Sequence, residues 1–320
     1  MQLLITGGAG FIGSNFARRQ LKQESKWNRI TVIDSLTYAG NLDNLTDCFD
    51  HPKFKFYRID ILDTDSLNNI LDSTDVVVHF AAESHVDRSI VGAKKFAETN
   101  VLGTQNLLEI SLVKNVKIFI HVSTDEVYGS IENGSWDELQ PVKPNSPYSA
   151  SKAASDLFAL SYFKTFGLDV RVTRCSNNYG PYQHPEKLIP RFITNLLNDK
   201  KIQLYGNGLN IREWIHVDDH CKAIELIIEN GKSGNIYNVG SNDEVTNLEI
   251  THRILDILNL SHSKIEFIED RKGHDLRYSL NFDKLRIDTG FEPEVKLEFG
   301  LKSTVEWYEK NTEWWRKIEK

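Results

Sequence analysis

Leu3-Leu4-Ile5-Thr6-Gly7-Gly8-Ala9-Gly10-Phe11-Ile12-Gly13 opens the chain, and Asp34 follows 21 residues after the last of these glycines. A short apolar run, a glycine turn and a helical start succeed one another here. Glycines at 7, 10 and 13 let a diphosphate approach the backbone N–H groups and the N-terminus of the following helix, where side chains would block it. Asp34 ends a second apolar run, Ile30–Ile33. A carboxylate at that point accepts hydrogen bonds from an adenosine ribose and repels a 2′-phosphate. Ser35-Leu36-Thr37 puts no arginine directly beside it. The pattern predicts an NAD site rather than an NADP site.

Further apolar, β-branched runs recur at Phe54–Ile59, Val76–Phe80, Ile118–Val122 and Val170–Thr173, with helically spaced segments between most of them. Short apolar runs separated by helices are the signature of parallel strands buried on both faces. The fold class predicted is α/β, a doubly wound parallel Rossmann sheet with a smaller C-terminal mixed α/β substrate domain. After residue 175 the rhythm loosens. Pro181, Pro185 and Pro190 mark a loop, and Gly206-Asn207-Gly208 marks a turn. A helix over 217–229, a strand over 235–239, a helix over 247–258 and a polar helix over 297–315 are predicted to follow. The expected division is residues 1–175 for the cofactor and 176–320 for the substrate, with a soft boundary and segments near 212–240 returning to the first unit. Trp307, Trp314 and Trp315 read as packing anchors.

The 320 residues, 40% hydrophobic and 26% charged, suit an ordinary globular protein of two domains or one large sheet with an appendage. A net charge of −7 argues against broad binding to nucleic acid or anionic membrane. Val76-Val77-Val78-His79-Phe80-Ala81-Ala82 is far shorter than the roughly 20 residues that cross a bilayer. Strand-like sequence from Leu3 leaves no visible signal peptide. Cys48, Cys175 and Cys221 are scattered without metal-site spacing and read as buried hydrophobes in a reducing compartment. No metal is predicted, and the expected location is cytoplasmic.

Ser146-Pro147-Tyr148-Ser149-Ala150-Ser151-Lys152 reads as a helix entry, with Ser146 as N-cap and Pro147 in the first turn. Tyr148 and Lys152, at i and i+4, share a face. A phenol near pKa 10 needs about 3 units, roughly 4 kcal/mol, to act as a base at neutral pH. A cation about 5 Å away supplies about 3 kcal/mol at an effective dielectric near 20. Ser123-Thr124-Asp125-Glu126 ends the fifth strand, where a doubly wound sheet places its ligands.

These residues resemble the extended short-chain dehydrogenase/reductase superfamily. Within it, the chain is similar along nearly its whole length to the nucleotide-sugar 4,6-dehydratase family that acts on dTDP-glucose. The segments that carry the resemblance are Thr37-Tyr38-Ala39-Gly40-Asn41-Leu42, Ala81 to Ser89, Ser123 to Gly129, Arg174 to Gln183 and Arg271-Lys272-Gly273-His274-Asp275. Thr124-Asp125-Glu126 discriminates most, because related epimerases and decarboxylases keep the Tyr and Lys without the Asp-Glu pair.

The resemblance implies oxidation of a nucleotide-linked glucose at C4, elimination of water across C5 and C6, and reduction at C6, with NAD recycled. Tyr148 takes the O4 proton with Lys152 beside it, Thr124 bonds O4, Asp125 donates to the leaving O6, and Glu126 removes the C5 proton. It implies cofactor contacts at Gly7, Gly10, Phe11, Ile12, Gly13, Asp34, Ser35, Leu36 and Thr37. Asp60 and Ile61 would lie at the adenine, and further contacts come from Phe80, Ala81, Ala82, Ser84, Thr99, Tyr148, Lys152 and Asn178. Ser84, Thr124, Asn177, Glu186, Lys187, Leu188, Leu204, Tyr205, Arg212, Asn247, Arg271 and His274 would meet the sugar nucleotide. His85, Asp87 and Arg88 read as scaffold. Family members are commonly homodimers, which points here to helices near 97–112 and 148–166. Lys272 and Leu276 depart from the commonest pattern and leave dTDP against UDP open. The alternatives are a UDP-hexose 4-epimerase, which needs no acid–base pair, and a silent nucleotide-binding protein.

Overall fold

The computed structural model describes residues 1–22, 26–270 and 273–319. Its strands in chain order are β1 (Gln2–Thr6), β2 (Arg29–Asp34), β3 (Phe54–Arg58), β4 (Val76–His79), β5 (Ile118–Thr124), β6 (Val170–Cys175), β7 (Asn177–Tyr179), β8 (Ile202–Tyr205), β9 (Ile211–His216), β10 (Ile236–Val239), β11 (Glu244–Thr246) and β12 (Ile265–Ile268). Seven of them form one sheet in the order β10-β6-β5-β4-β1-β2-β3, and every pair in it is parallel. Alternate residues serve opposite faces. Leu3, Ile5, Ile30 and Val32 enter one apolar core, while Leu4 and Ile33 enter another across the sheet. Burial on both faces is what makes these strands read as continuous apolar runs. The doubly wound sheet expected from the sequence is present.

β1 has β2 on one side and β4 on the other, so successive crossovers leave it in opposite directions. A ligand crevice opens at the carboxyl ends of such a pair. The helix Val217–Asn230 packs against the helix Phe11–Lys22, and β10 then joins β6 at the edge of the large sheet.

The remaining strands were not legible in the sequence. β11, β9 and β7 make a three-stranded sheet, and β12 pairs with β8. They run only three to six residues and carry polar side chains such as Arg212 and Glu213 in buried positions, so neither length nor alternation announces them. A third apolar core lies between these strands and the helices that cover them.

The C-terminal helix is broken where one helix over 297–315 was expected. It runs Leu297–Lys310 and then Thr312–Ile318. Asn311 Nδ2 donates to Trp307 O at 2.8 Å, so the side chain competes for a helical carbonyl. The break turns Trp314 inward, where its Nε1 donates to Asn44 Oδ1 at 2.8 Å. Asn44 Nδ2 in turn donates to Ala9 O in the glycine turn at 2.9 Å. Lys317 pairs with Asp43 at 3.0 Å.

Phe16, fully buried under the glycine turn and 5.6 Å from the ring of Phe80, fixes the first helix on the sheet. Phe16→Ala should cost about 3–5 kcal/mol in urea unfolding, the range for deleting a buried aromatic ring.

Candidate active site

β1 and β4 run in register, with Thr6 beside His79, so the chains leaving them almost touch. Gly7 sits at φ +65°, and a Cβ there would lie 2.6 Å from Ala81 N. A Cβ on Gly13 would lie 2.5 Å from Gly7 O. Only glycine meets both conditions, and Gly7, Gly10 and Gly13 line the cavity, while Gly7 N and Gly10 N are held within the turn by bonds to Ile33 O and Gly7 O. Asp34 Oδ2 accepts from Ala9 N at 3.0 Å and Oδ1 from Leu36 N at 2.8 Å. Burial nevertheless pushes the Asp34 carboxyl up, against these two bonds.

A single cavity runs from this turn across the strand ends. Gly7, Gly10, Phe11, Ile12, Gly13, Asp34, Ser35, Thr37, Asp60, Ile61, Phe80, Ala81, Ala82, Ser84, Thr99, Tyr148, Lys152 and Asn178 all line it. Leu36 does not. Its φ of 54° turns it away, and its side chain packs on the core beside β2. Its backbone N–H stays at the site, donating to Asp34 Oδ1. A π-helical segment at Ala97–Gly103 presents Thr99 to the cavity and buries Asn100. Asn100 accepts from Glu83 N at 2.8 Å and donates to Ser151 Oγ at 2.8 Å, which ties the β4 loop to the Tyr148 helix.

That helix spans Pro147–Phe166, capped as expected by Ser146 in a reciprocal bond with Ser149. Tyr148 and Lys152 are both buried beside the end of β5. Lys152 Nζ donates to Val122 O at 2.8 Å. Burial pushes Lys152 down to about 8, while Asp156 draws it back up. The phenol of Tyr148 is held well above its usual range by burial and by Glu126, with a bond to Thr124 opposing them. The charge arithmetic already left lysine alone short of making Tyr148 a base, and desolvation and a nearby carboxylate widen that gap.

Thr124 caps the short turn Asp125–Tyr128 by accepting from Glu126 N at 3.3 Å, and donates to Asp125 Oδ1 at 3.2 Å. Asp125 is 2% exposed, and its Oδ2 has no partner among the described residues. Burial first, then Glu126 and Glu213, push Asp125 well above the carboxylate range. The shift favours the protonated form, the one that can donate a proton. Glu126 borders the same cavity.

A second cavity adjoins the first, with Ser84, Glu126, Asn177, Glu186 and Lys187 lining both. Leu188, Leu204, Tyr205, Arg212, Asn247 and His274 also line it. Thr124 faces the first cavity only. Arg271 lies outside the described residues. Lys187 Nζ donates to Ser84 O at 2.6 Å, and Arg212 donates to Asp275 O at 2.9 Å and lies over the Tyr278 ring. Two cations at one wall suit a diphosphate.

Several residues at the site were missed. Arg88, read as scaffold, lines neither cavity but pairs with Glu186, which lines both, at 3.0 Å and lies over the Tyr38 ring at 3.9 Å. Glu213 accepts from Ser241 N, Asn242 N and Leu280 N, so a buried carboxylate stands near Asp125. His220 Nδ1 donates to Asn178 Oδ1 at 2.8 Å. Arg58 lies opposite Asp34 in the sheet and donates to Ser35 O at 3.4 Å, so an arginine is near in space though not in sequence. The partners are tens to nearly a hundred residues apart, and no local pattern links them.

The profile of the family described as GDP-mannose 4,6 dehydratase matches residues 4–304. A dTDP-glucose 4,6-dehydratase of Streptomyces niveus is 50% identical over 99% of this chain and 96% of its own length. The crystal structure of DesIV, a dTDP-glucose 4,6-dehydratase of Streptomyces venezuelae solved with NAD bound, superposes with a TM-score of 0.98 at 53% identity, covering 99% of this chain and all of that one. A UDP-glucose 4-epimerase of Thermotoga maritima gives 0.90 at 30% identity, over 98% of this chain and all of its own. The fold is thus that of the Rossmann-type enzymes that remodel sugar nucleotides. Within that class, the chain belongs to the nucleotide-sugar 4,6-dehydratase family.

Because folding raises the proton affinity of Asp125, stability falls as pH rises from the ordinary carboxylate range toward its folded value. Asp125→Asn, already neutral, should melt a few degrees higher than the parent at pH 7, with the gap closing near pH 3 as measured by calorimetry.

Proposed function

We infer that the chain dehydrates dTDP-glucose to dTDP-4-dehydro-6-deoxyglucose, with NAD as a recycled cofactor. The observation that carries this reading is the buried Asp125 beside Glu126 at the end of β5, in a chain half identical to dTDP-glucose 4,6-dehydratases over its whole length. An epimerase has no use for such a pair.

Gly7, Gly10, Gly13 and Asp34 would hold NAD, which would supply reversible hydride transfer, taking a hydride from C4 and returning it to C6. Thr124 and Tyr148 meet the C4 hydroxyl, and Tyr148 accepts its proton as C4 is oxidised. The C5 hydrogen, now next to a carbonyl, passes to the Glu126 carboxylate. Asp125 gives its proton to O6, which leaves as water, and Glu126 returns a proton to C5. Two adjacent carboxyls can perform opposite duties where their surroundings push their proton affinities apart, and burial raises that of Asp125.

The Tyr148 phenol is held well above its usual range; Lys152 and the Thr124 bond favour its deprotonation, and the positive charge of a bound NAD would add to them. Lys187 and Arg212 hold the diphosphate, and Leu204, Tyr205 and Asn247 hold the base. The same reading gives residues 1–175 to the cofactor and 176–320 to the sugar nucleotide, apart from the segment that β10 returns to the large sheet.

A homodimer is supported by exposed Leu102, Leu157, Phe158 and Phe166 on the two adjacent helical segments near 97–113 and 147–166, apolar surface of the kind one copy hides against another. The three free, buried cysteines suit the cytoplasm. No helix among the described residues is long and apolar enough to cross a membrane.

Incubation with dTDP-glucose should yield the 4-keto-6-deoxy sugar with no net NADH. Tyr148→Phe should lower kcat at least about a hundredfold, as loss of a general base does. Glu126→Gln and Asp125→Asn should block loss of water while still permitting C4 oxidation, seen as NADH absorbance at 340 nm. Epimerised product from the double carboxyl variant would overturn the assignment. Leu157→Asp with Phe158→Asp should give monomers by sedimentation.

A further inference from the structure

Beneath Lys152 the sheet and the Tyr148 helix enclose charged groups that the reaction above does not use. Asp156 lies one turn beyond Lys152 and is completely buried. Its Oδ2 accepts from Arg174 Nε on β6 at 2.9 Å. Its Oδ1 has no hydrogen bond among the described residues and lies 3.3 Å from His121 Nε2 on β5. His121 Nε2 is also 3.1 Å from Ser155 Oγ, whose own proton goes to Lys152 O at 2.8 Å. The histidine hydrogen is therefore on Nε2, donated to Ser155 Oγ, with Asp156 Oδ1 alongside at 3.3 Å.

His121 is kept neutral, pushed down to about 4 by burial and by Lys152. His79 on β4, with its ring 5.5 Å from that of His121, is pushed down as well. On β6, burial raises the Cys175 thiol to about 12, so it too stays neutral. Asp156 thus supplies the negative charge facing two buried cations, Lys152 and Arg174.

The contacts continue toward the acid–base pair. Arg174 lies over the Tyr128 ring at 4.6 Å. Tyr128 ends the turn that carries Asp125 and Glu126, and its hydroxyl donates to Asn238 Oδ1 at 2.9 Å. A buried ion pair gives little net stability over well-packed apolar groups, and here one carboxylate oxygen is left unbonded. Stability alone does not account for the arrangement.

We propose that Asp156 is a positioning residue for the dehydration: it keeps Lys152 an ammonium ion and, through Arg174 and Tyr128, ties the Tyr148 helix to the turn of Asp125 and Glu126. This rests on the functional reading above, in which Lys152 acts as a cation beside Tyr148. Burial drives Lys152 toward losing its proton and Asp156 opposes that. Removing the Asp156 charge makes Lys152 neutral at lower pH, so turnover fails sooner as pH rises. A charge one helical turn away moves the midpoint by about one pH unit or more.

Asp156→Asn strands Arg174, so the test adds the double variant D156N/R174M, which removes both charges and keeps the fold testable. On NAD-loaded protein with dTDP-glucose, kcat should fall about tenfold with KM little changed, and the alkaline limb should move down by about one pH unit. The pH dependence of Lys152 acetylation by acetic anhydride, read by mass spectrometry, should show the same shift without turnover. A double variant with the parent's alkaline limb, or with an unshifted Lys152 midpoint, overturns the proposal. A uniform loss of activity without a pH shift also overturns it. A shifted midpoint in a protein whose parent never turns over dTDP-glucose supports the tether and counts against the assigned reaction.

Discussion

The pairing of β1 with β4 sets the terms for the rest of the molecule. Where Thr6 lies beside His79, the two chains depart on opposite sides of the sheet with no room for a side chain between Gly7 and Ala81. Thr6 and His79 reinforce the junction. Thr104 Oγ1 gives its proton to Asn100 O and so accepts from His79 Nε2, which leaves Nδ1 to accept from Thr6 Oγ1 at 2.7 Å. Thr6 Oγ1 also accepts from Ala81 N at 3.2 Å. The close approach fixes the floor of the crevice, and the other strand ends are placed from it by register.

The polar groups at those strand ends show what burial can do to chemistry. Asp125, Tyr148 and Lys152 are each moved toward their neutral forms by the same desolvation. For Asp125 the shift favours the acid form that a proton donor needs. For Tyr148 and Lys152 it works against the ionised state that proton transfer needs, so neighbouring charges must counter it. An active site of this kind gives up stability for function, and the surrounding sheet, buried on both faces, is large enough to bear that loss.

How much of this was legible in the sequence follows from the range of the interactions. The glycine turn, Asp34 and the capped helix of Tyr148 and Lys152 are local patterns whose geometry is dictated within a few residues. The parallel sheet was legible because double-sided burial writes itself into each strand separately. The small sheets of β7, β9 and β11 and of β8 and β12 were not, since their strands are short and bear buried charges. Nor were Arg88 with Glu186, Glu213 with Leu280, or Asp156 with Arg174, which meet only after the chain has folded. The outcome for Leu36 has the same origin: its place beside Asp34 is local, but the direction of its side chain is set by the core it joins.

The contact from Trp314 through Asn44 to Ala9 bears on how the protein comes into being. Synthesis delivers the glycine turn long before Trp314, so the turn can close on local contacts alone. The bonds that brace it from outside must wait until the Trp314 segment has been made and has folded back. In the interval the nucleotide crevice is only half built, as in other folds whose contacts span large sequence distances. A late segment thus decides when an early one is finished.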